Sequence, residues 1–292
     1  MSKMWFGLPG EHMQFVPAPL IDSTVTRNRF VESIKFENGG GDVNRSSQYQ
    51  LQYDFNLSGP AHELDGIDAF NRFASGFYGN GYIYLAHPTA YETNLFPAAW
   101  ASPGLIEQGW KNIAGDKPTF YTTISNQRNQ PKKTAVFNVT SDPGVFFKKA
   151  TIVIPPTHDL HVGVSGSATG SAGVFVRPIA VNNVVGTPTA VTLLDAAADV
   201  RMNMVLSGAE YQAVDVYIAR TTTDVSTIEV TSMMAQLYKT GRTVVPPTSH
   251  MSGEGSTGLA FADDAIVETY SYMFPPRKGI STKLVEVEAW RN

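Results

Sequence analysis

The 292-residue sequence contains no cysteine, which excludes disulfide scaffolds, thiol nucleophiles and cysteine-ligated zinc. Charged residues are also scarce, at 16% of the chain against roughly 25% in an average domain. The formal net charge is −4 and no dense Lys/Arg run is present, which argues against a general nucleic-acid binder. We therefore expect a surface of Ser, Thr, Asn, Gln and Gly, or one that is largely buried against partners.

Long apolar segments are missing as well. No run approaches the roughly 20 consecutive apolar residues of a membrane helix. The first twelve residues contain no apolar run of signal-peptide length. Hydrophobic residues still make up 42% of the chain, which is enough to bury a real core. We expect a soluble protein made in the cytoplasm, with no membrane partner.

The stretch from residue 47 to residue 87 organises the first part of the chain. Apolar and polar residues alternate strictly from Tyr49 to Leu57, which predicts a strand with one apolar face. Apolar residues then recur every three or four positions, which predicts an amphipathic helix over residues 65–78. The apolar stripe of this helix consists of Ile67, Phe70, Phe73, Ala74 and Phe77.

Capping signals bound this helix. Asp65 is the expected N-cap, and Asp68 favours the positive end of the helix dipole. The sequence Gly79-Asn80-Gly81 is expected to end the helix, because glycine tolerates the left-handed conformation. A second strand follows at residues 82–85. The sequence thus predicts an N-terminal domain, residues 1–92, in which one helix covers a sheet.

Three consecutive glycines interrupt the chain between two predicted strands. Residues 37–46 have high backbone freedom, which predicts a flexible hairpin tip. This segment is either an ordinary surface loop or an arm that becomes ordered against a neighbouring subunit. The residues assigned to the arm are Gly39, Gly40, Gly41, Asp42, Asn44 and Arg45.

The remainder of the chain, residues 93–292, contains many short strands separated by turn residues. This pattern is typical of a β-sandwich or jelly roll. Residues 194–201 also favour a helical turn by propensity, although the segment is too short to change the class. The predicted fold is therefore mainly β, with a sheet-plus-one-helix domain followed by a β-sandwich domain.

No catalytic set stands out. Ser165 comes nearest to a nucleophile elbow, but its second glycine is one residue early. His158 and His161 would point to opposite faces of a strand, so a joint metal site is disfavoured. An acidic group matches no calcium motif and consists of Glu254, Asp263, Asp264 and Glu268. We predict no catalytic residue, metal or cofactor, and rank a wall glycosidase last among the functions.

Aromatic residues after the first domain allow two interpretations. A stacking platform for sugar rings could use Trp100, Trp110, Tyr121 and Tyr217. Such residues more often belong to the core of a sandwich. Of the four, Trp100, Trp110 and Tyr121 are the candidate sugar contacts.

Three segments resemble the opening domain of minor tail proteins of long-tailed bacteriophages that infect actinobacteria. These segments are residues 49–57, 65–73 and 82–85. Residues 94–100 resemble the entry to the jelly-roll domain of those proteins, and residues 249–258 and 261–264 resemble its last third. The overall plan is similar to the distal tail (Dit-like) proteins.

The resemblance implies a structural virion protein at the tail tip. In that family a belt domain forms a ring, six-fold in symmetry, and a galectin-like or carbohydrate-binding-like sandwich projects outward. The implied partners are further copies of the chain, the tail tube protein and the baseplate or tail-tip hub. DNA would pass through the ring without specific binding, and the acidic balance of the chain suits a non-sticking lining.

An alternative function remains open. The sandwich could make the chain a carbohydrate-binding minor tail protein that contacts the wall polysaccharide of the host cell. The ring-forming protein and the sugar-binding module could also coexist in one chain. No matching motif assigns an invariant binding residue to either function.

Overall fold

The computed structural model describes residues 3–35, 41–60, 66–87, 93–101, 119–124, 131–140, 142–143, 149–194, 202–242, 253, 255, 258–262, 267–271 and 277–287. Within them the chain is mainly β, arranged in several sheets, and the predicted fold class is confirmed. No helix among the described residues has the length and apolar character needed to cross a membrane.

Nearly all elements of the described residues are strands. In chain order they are β1 (Lys3–Leu8), β2 (His12–Pro17), β3 (Thr24–Lys35), β4 (Gly41–Pro60), α1 (Ile67–Ala74), β5 (Tyr84–Ala86), α2 (Ala98–Ala101), β6 (Thr119–Ile124), β7 (Pro131–Val139), β8 (Lys149–Val153), β9 (His158–Thr169), β10 (Ala172–Ala180), β11 (Thr189–Ala190), β12 (Leu193–Leu194), β13 (Met204–Ser207), β14 (Tyr211–Arg220), β15 (Ser226–Lys239), β16 (Leu259–Phe261), β17 (Val267–Ser271) and β18 (Arg277–Glu286).

Strand β1 lies between two hydrophobic cores. It pairs with β2 on one side and β5 on the other, and residues on both of its faces are buried. Phe6 packs in the first core, against Phe70 and Phe73 of α1. Trp5, one residue earlier, points the opposite way into the second core, since neighbouring strand residues face opposite sides. The three-stranded sheet β2-β1-β5, which we call the small sheet, therefore contributes to both cores. We call the part of the chain around the first core the first unit and the part around the second core the second unit.

The first core is closed by strands from both ends of the chain. Strand β4 pairs with β3 and with β18, and β18 pairs in turn with β16 and β17. Ile280 and Leu284 of β18 are buried in the same cluster as Phe55 and Leu57 of β4. The predicted division at residues 92 and 93 stays a prediction, but the sheet of the first unit includes the later strands β16, β17 and β18.

Helix α1 is shorter than the sequence pattern predicts. Gly66 occupies the N-cap without a side-chain hydrogen bond, so the prediction of Asp65 as N-cap is wrong. The helix ends at Ala74, with Ser75 as its C-cap and Gly76 in the left-handed conformation (φ 71°). The N–H groups of Gly76 and Phe77 donate to the carbonyls of Phe73 and Arg72, which defines a Schellman cap. The glycine that ends the helix is therefore Gly76, three residues before the predicted Gly79.

The second core lies between the sheets of a sandwich. One sheet has the order β11-β10-β14-β8, and the other has the order β12-β9-β15-β7-β6 with β13 beside β9. Val216 and Ile218 of β14 and Val162 and Val164 of β9 are buried in one cluster between these sheets. The sheets therefore form the β-sandwich that the turn-separated short strands predict.

Asn94 covers an open strand edge where the chain enters the sandwich. Its Nδ2 donates to the carbonyl of Met233, and its Oδ1 accepts from the N–H of Ala235. Leu95 continues the contact by donating its own N–H to Ala235. The amide side chain thus takes the place of a neighbouring strand along β15, which explains why a polar residue is fully buried here.

Candidate assembly surface

A two-stranded ribbon extends from the first unit. Strands β3 and β4 pair continuously from Thr24 opposite Asp54 to Lys35 opposite Gly41, apart from one irregularity. Strand β18 accompanies β4 only from Gln52 to Pro60. We call residues 27–35 and 41–51 the ribbon, since no third strand borders them among the described residues. Nine residues of strand span about 30 Å, and an isolated pair of strands is marginally stable in water.

The ribbon contains most of the predicted arm. Asp42, Asn44 and Arg45 lie in β4 and are strand residues, so the predicted loop over residues 37–46 is wrong for its second half. Gly41 is the first residue of β4, and Gly39 and Gly40 lie outside the described residues. Gly41 therefore belongs to the last described pair of a long hairpin, opposite Lys35.

The sheet of the first unit has an open edge on each side. At one edge β3 pairs only with β4, and at the other β17 pairs only with β18 among the described residues. Successive strands in the order β17-β18-β4-β3 are all antiparallel. Unpaired strand edges present N–H and C=O groups that can pair with another chain.

Exposed apolar side chains lie near both edges. Leu20 and Ile21 precede β3 and are 45% and 106% exposed, and Val25 within β3 is 55% exposed. At the other edge Val267 and Tyr270 of β17 are each 59% exposed. Apolar exposure beside an unpaired edge is typical of a surface that is covered in an assembly.

The face of this sheet away from the first core is polar but carries little charge. Its residues on β4 and β18 include Gln52, Asp54, Asn56, Ser58, Arg277, Ser281 and Lys283. Lys283 lies 3.9 Å from Asp54, so these two charges offset each other. This face is close to neutral, and the excess of acidic residues in the chain does not lie on this part of it.

A buried lysine ties α1 to the β17 edge. Lys278 of β18 is 7% exposed, and its Nζ lies 2.7 Å from Oε1 of Glu268 on β17. Asn71 of α1 donates from Nδ2 to the same oxygen at 2.7 Å, and Tyr270 donates to Oε2 at 2.6 Å. Asp68 stands 3.8 Å from the Lys278 amine.

These contacts determine the protonation states of Lys278 and Glu268. The hydrogen bond from Lys278 is the largest of the effects that lower the pKa of Glu268. Burial lowers the pKa of Lys278, but Glu268 and Asp68 together raise it above its ordinary value. The pair therefore rests as ammonium and carboxylate. Lys278 occupies an apolar position in the two-residue period of β18, alongside Ile280, and that is the sequence signal by which it could have been found.

The predicted sugar contacts are not brought together on the surface. Trp100 is fully buried in the second core and stacks on Phe96, so its ring is not available to a sugar. Tyr217 is 6% exposed and lies beneath the Arg177 guanidinium. Trp110 lies outside the described residues, and for Tyr121 only its position in β6 is described.

The described residues among the weaker catalytic and metal candidates do not form a site either. Ser165 lies within β9 and is fully buried, which is not the exposed turn of a nucleophile elbow. His158 and His161 belong to the same strand, three positions apart, and burial lowers the pKa of each. Glu254, Asp263 and Asp264 lie outside the described residues. Among the described residues no group of three or more His, Asp or Glu could hold a metal ion.

A cleft of about 170 Å³ separates the small sheet from the sandwich. Its walls include Tyr82 and Tyr84 from the first unit and Thr151 and Asp215 from the second. Asp215 accepts a hydrogen bond from Thr151 at 2.8 Å and pairs with Arg177 at 2.9 Å. Small-molecule sites usually enclose about 300–1,000 Å³, so this cleft is below the usual size for one.

Comparisons with known proteins give no family. No family model and no curated protein matches the chain. Solved structures of infectious bursal disease virus overlap it at very low similarity. The Gx strain structure shares 13% identity over 98% of this chain and 80% of that chain, with a TM-score of 0.26. The virus-derived T=1 particle shares 13% identity over 98% and 76%, with a TM-score of 0.25. TM-scores this low do not establish a shared fold.

Proposed function

We propose that the protein is a structural virion subunit that assembles edge to edge into a ring at the tip of a bacteriophage tail. The ring would join the tail tube to the baseplate hub. The observation that carries the proposal is the sheet of the first unit, whose edges at β3 and at β17 have no further strand in the part of the chain that the structure describes. No enzymatic activity forms part of this proposal.

The strand directions support head-to-tail closure. Each of the four strands in the order β17-β18-β4-β3 is antiparallel to the next, so β3 and β17 run in opposite directions. If β3 of one copy meets β17 of the next, the antiparallel pattern continues across the junction without reversal. A contact between two different surfaces closes into a ring when the rotation is suitable. The register puts Val25 on the face of Tyr53 and Val267 on the face of Ser281, so the junction would cover these two valines on opposite faces of the sheet.

The dimensions are compatible with a channel. Six copies of this four-stranded sheet give about 24 strands, spaced about 4.8 Å apart. A closed cylinder of these strands would have a diameter of about 37 Å, and tilting of the strands would widen it. Its lining would be the polar face with Asn56 and Ser281, because the other face is buried under α1. Such a lining would be nearly neutral, in contrast to the acidic lining expected from composition, and neutrality also avoids binding to phosphates.

The ribbon would provide a second contact between neighbouring copies in the ring. Its strands leave the sheet next to the β3 edge, so they would reach the neighbouring copy in the ring. Contact there would stabilise a segment that is marginal alone. We also propose two units, in which residues 1–92 with the returning strands β16 to β18 form the belt and the sandwich projects from it.

The test is the mass of the purified protein by light scattering. We expect a discrete assembly near six times the 31.7 kDa subunit mass. In a second variant, a two-residue Asn-Gly turn replaces residues 29–49 and joins Asn28 to Gln50, which are already paired. This variant should fold and yield smaller assemblies. A monomer at all concentrations, alone and with tail tube protein, would contradict the ring.

A further inference from the structure

A lysine amine, a carboxamide and a carboxylate meet at one point of the first unit. Oε1 of Glu268 lies 2.7 Å from Nζ of Lys278 and 2.7 Å from Nδ2 of Asn71. The two nitrogens are therefore at most twice that distance, 5.4 Å, apart. The three residues come from three elements, β17, β18 and α1, which the fold brings together.

These three groups are the ones that an amide exchange requires. A neutral amine is a nucleophile, a carboxamide is an electrophile whose leaving group is ammonia, and a carboxylate can move the proton between them. Glu268 contacts both the amine and the leaving nitrogen through a single oxygen. We propose that Lys278 and Asn71 form an intramolecular isopeptide bond, with Glu268 as the catalytic residue.

The reaction balances without any further reactant. The Lys278 ammonium gives a proton to Glu268, and the neutral Nζ attacks Cγ of Asn71. Glu268 then returns that proton to Nδ2, which leaves as ammonia as the C–N bond breaks, and the second proton lost from Nζ converts ammonia to ammonium. One C–N bond forms, one breaks, and the carboxylate is regenerated.

The surroundings hold Glu268 in position for this role. The Tyr270 hydroxyl donates to Oε2 at 2.6 Å and so leaves Oε1 for the amine and the amide. Lys278 lies in the sheet with its side chain 9% exposed and its Nζ 5.5 Å from the centre of the Tyr270 ring. Exclusion of water from the amine favours attack on the amide over hydrolysis.

Asn71 can turn its carbonyl carbon towards the amine. Its Oδ1 is buried and has no hydrogen-bond partner among the described residues. A buried acceptor without a partner is unfavourable, and nothing fixes the carbonyl side of this amide. The side chain is therefore free to rotate about the contact from Nδ2 to Glu268, and the reaction requires a rotation that moves Cγ towards Nζ. An approach of about 3–3.5 Å is required for attack.

The initial proton transfer makes the reaction slow. Glu268 and Asp68 keep Lys278 protonated, since they raise the pKa of its amine. Neutral Lys278 is a minor species, and the bond forms once per chain after folding. Asp68 is the competing electrophile, since its Oδ1 lies 3.8 Å from Nζ, but a carboxylate resists attack by an amine.

The bond would join the helix of the first unit to the last described strand of the chain. The loop closed between Asn71 and Lys278 contains roughly 200 residues, and cross-links across long loops restrict the unfolded chain most. It would fix β18 in the sheet and α1 upon it. The inference stands independently of the ring, because it concerns contacts within one subunit.

The first experiment measures the intact mass of the denatured wild-type protein. We expect a mass about 17 Da below that of the sequence, since one ammonia is lost. Trypsin should then give residues 46–72 joined to residues 278–283, because an acylated Lys278 is not cleaved. A full sequence mass, or a 17 Da loss without the joined peptides, overturns the proposal. A loss of about 18 Da would assign the bond to Asp68 and also overturn it.

Variants assign the roles. Lys278→Arg removes the nucleophile and should abolish the mass loss. Glu268→Gln keeps the shape of the side chain and should leave Lys278 and Asn71 in separate peptides. Lys283→Arg changes a lysine of the same strand near Asp54 and should retain the full 17 Da loss. Persistence of the joined peptides in Glu268→Gln would overturn the role of Glu268.

Discussion

Trp100 and Phe77 illustrate how burial separates two aromatic side chains that look alike in sequence. Trp100 is fully buried and stacks on Phe96, whereas Phe77 is 70% exposed beyond the end of α1. Both are apolar residues in apolar patterns. The sequence predicts a buried Phe77 in the helical stripe and allows Trp100 to be either a sugar contact or part of the sandwich core. Phe77 leaves the helical stripe because the chain turns at Gly76, and its ring lies under the Arg72 guanidinium instead.

We expect Trp100→Ala to lower the free energy of unfolding by about 3–5 kcal/mol, because it removes a fully buried ring and leaves a cavity. Phe77→Ala is the matched control and should change it by less than about 0.5 kcal/mol. Urea unfolding followed by circular dichroism measures both. A Trp100→Ala protein of native stability that has lost affinity for wall polysaccharide would restore the sugar-contact interpretation.

Histidines make stability depend on pH in the mildly acidic range. Burial lowers the pKa of His87, His158 and His161 in the folded protein. Below about pH 6.5 the unfolded chain therefore binds more protons than the folded chain. The free energy of unfolding should fall from pH 7 to pH 5 and level off once the folded histidines also titrate.

This decrease can be assigned to particular residues. In a His158→Gln, His161→Gln variant we expect a smaller change in the urea midpoint between pH 7 and pH 5. His12, which is half-buried and has a stacked contact with Tyr78, provides the comparison variant His12→Gln. Equal slopes in all three proteins would show that other groups cause the pH dependence.

At the scale of elements, the open strands β3 and β17 decide what the sheet can do. Both bear exposed valines, Val25 and Val267, and both lack a partner on one side among the described residues. A lysine on an edge strand opposes pairing with another chain, because its charge would be buried in the contact. The edges can therefore be tested without altering the core.

Val25→Lys and Val267→Lys should each reduce a ring to smaller species in light scattering. Val225→Lys alters a valine that is 95% exposed in a turn of the sandwich, and it should leave the ring intact. Thermal unfolding of the three variants should agree with that of the wild type, since exposed substitutions change stability little. Rings that persist in both edge variants would place the contact elsewhere.

At the scale of the whole molecule, the first unit depends on both ends of the chain. Strands β16 to β18 supply Leu259, Ile280 and Leu284 to the core that also contains Phe55 and Phe70. The sandwich core contains no residue from these three strands. Loss of the last strands should therefore affect the two units unequally.

A chain ending at residue 258 should keep a folded sandwich and lose the ordered first unit. The reason is that β4 loses its neighbour β18, and the apolar face of β4 becomes exposed. Limited proteolysis is expected to cut within residues 41–60 while strands β9, β14 and β15 resist. Equal protection of both units would contradict this dependence.

The sequence by itself determined the fold class and many of the strands, since a two-residue apolar period is a local property. Strand β4 contains the alternating residues 49–57 and extends further at both ends, because pairing with β3 and β18 continues past them. The helix was found in the right place, but its ends were not, because Gly66 and Gly76 cap it in ways that depend on the local backbone.

Only the tertiary structure decided how distant segments combine. Lys278, Glu268 and Asn71 come together because β18 inserts beside β4, a pairing between residues more than two hundred positions apart. Burial of Trp100 and exposure of Val25 likewise depend on which surfaces the rest of the chain covers. Local periodicity fixes which face of a strand is apolar, whereas long-range pairing determines what that face meets and which edges stay open.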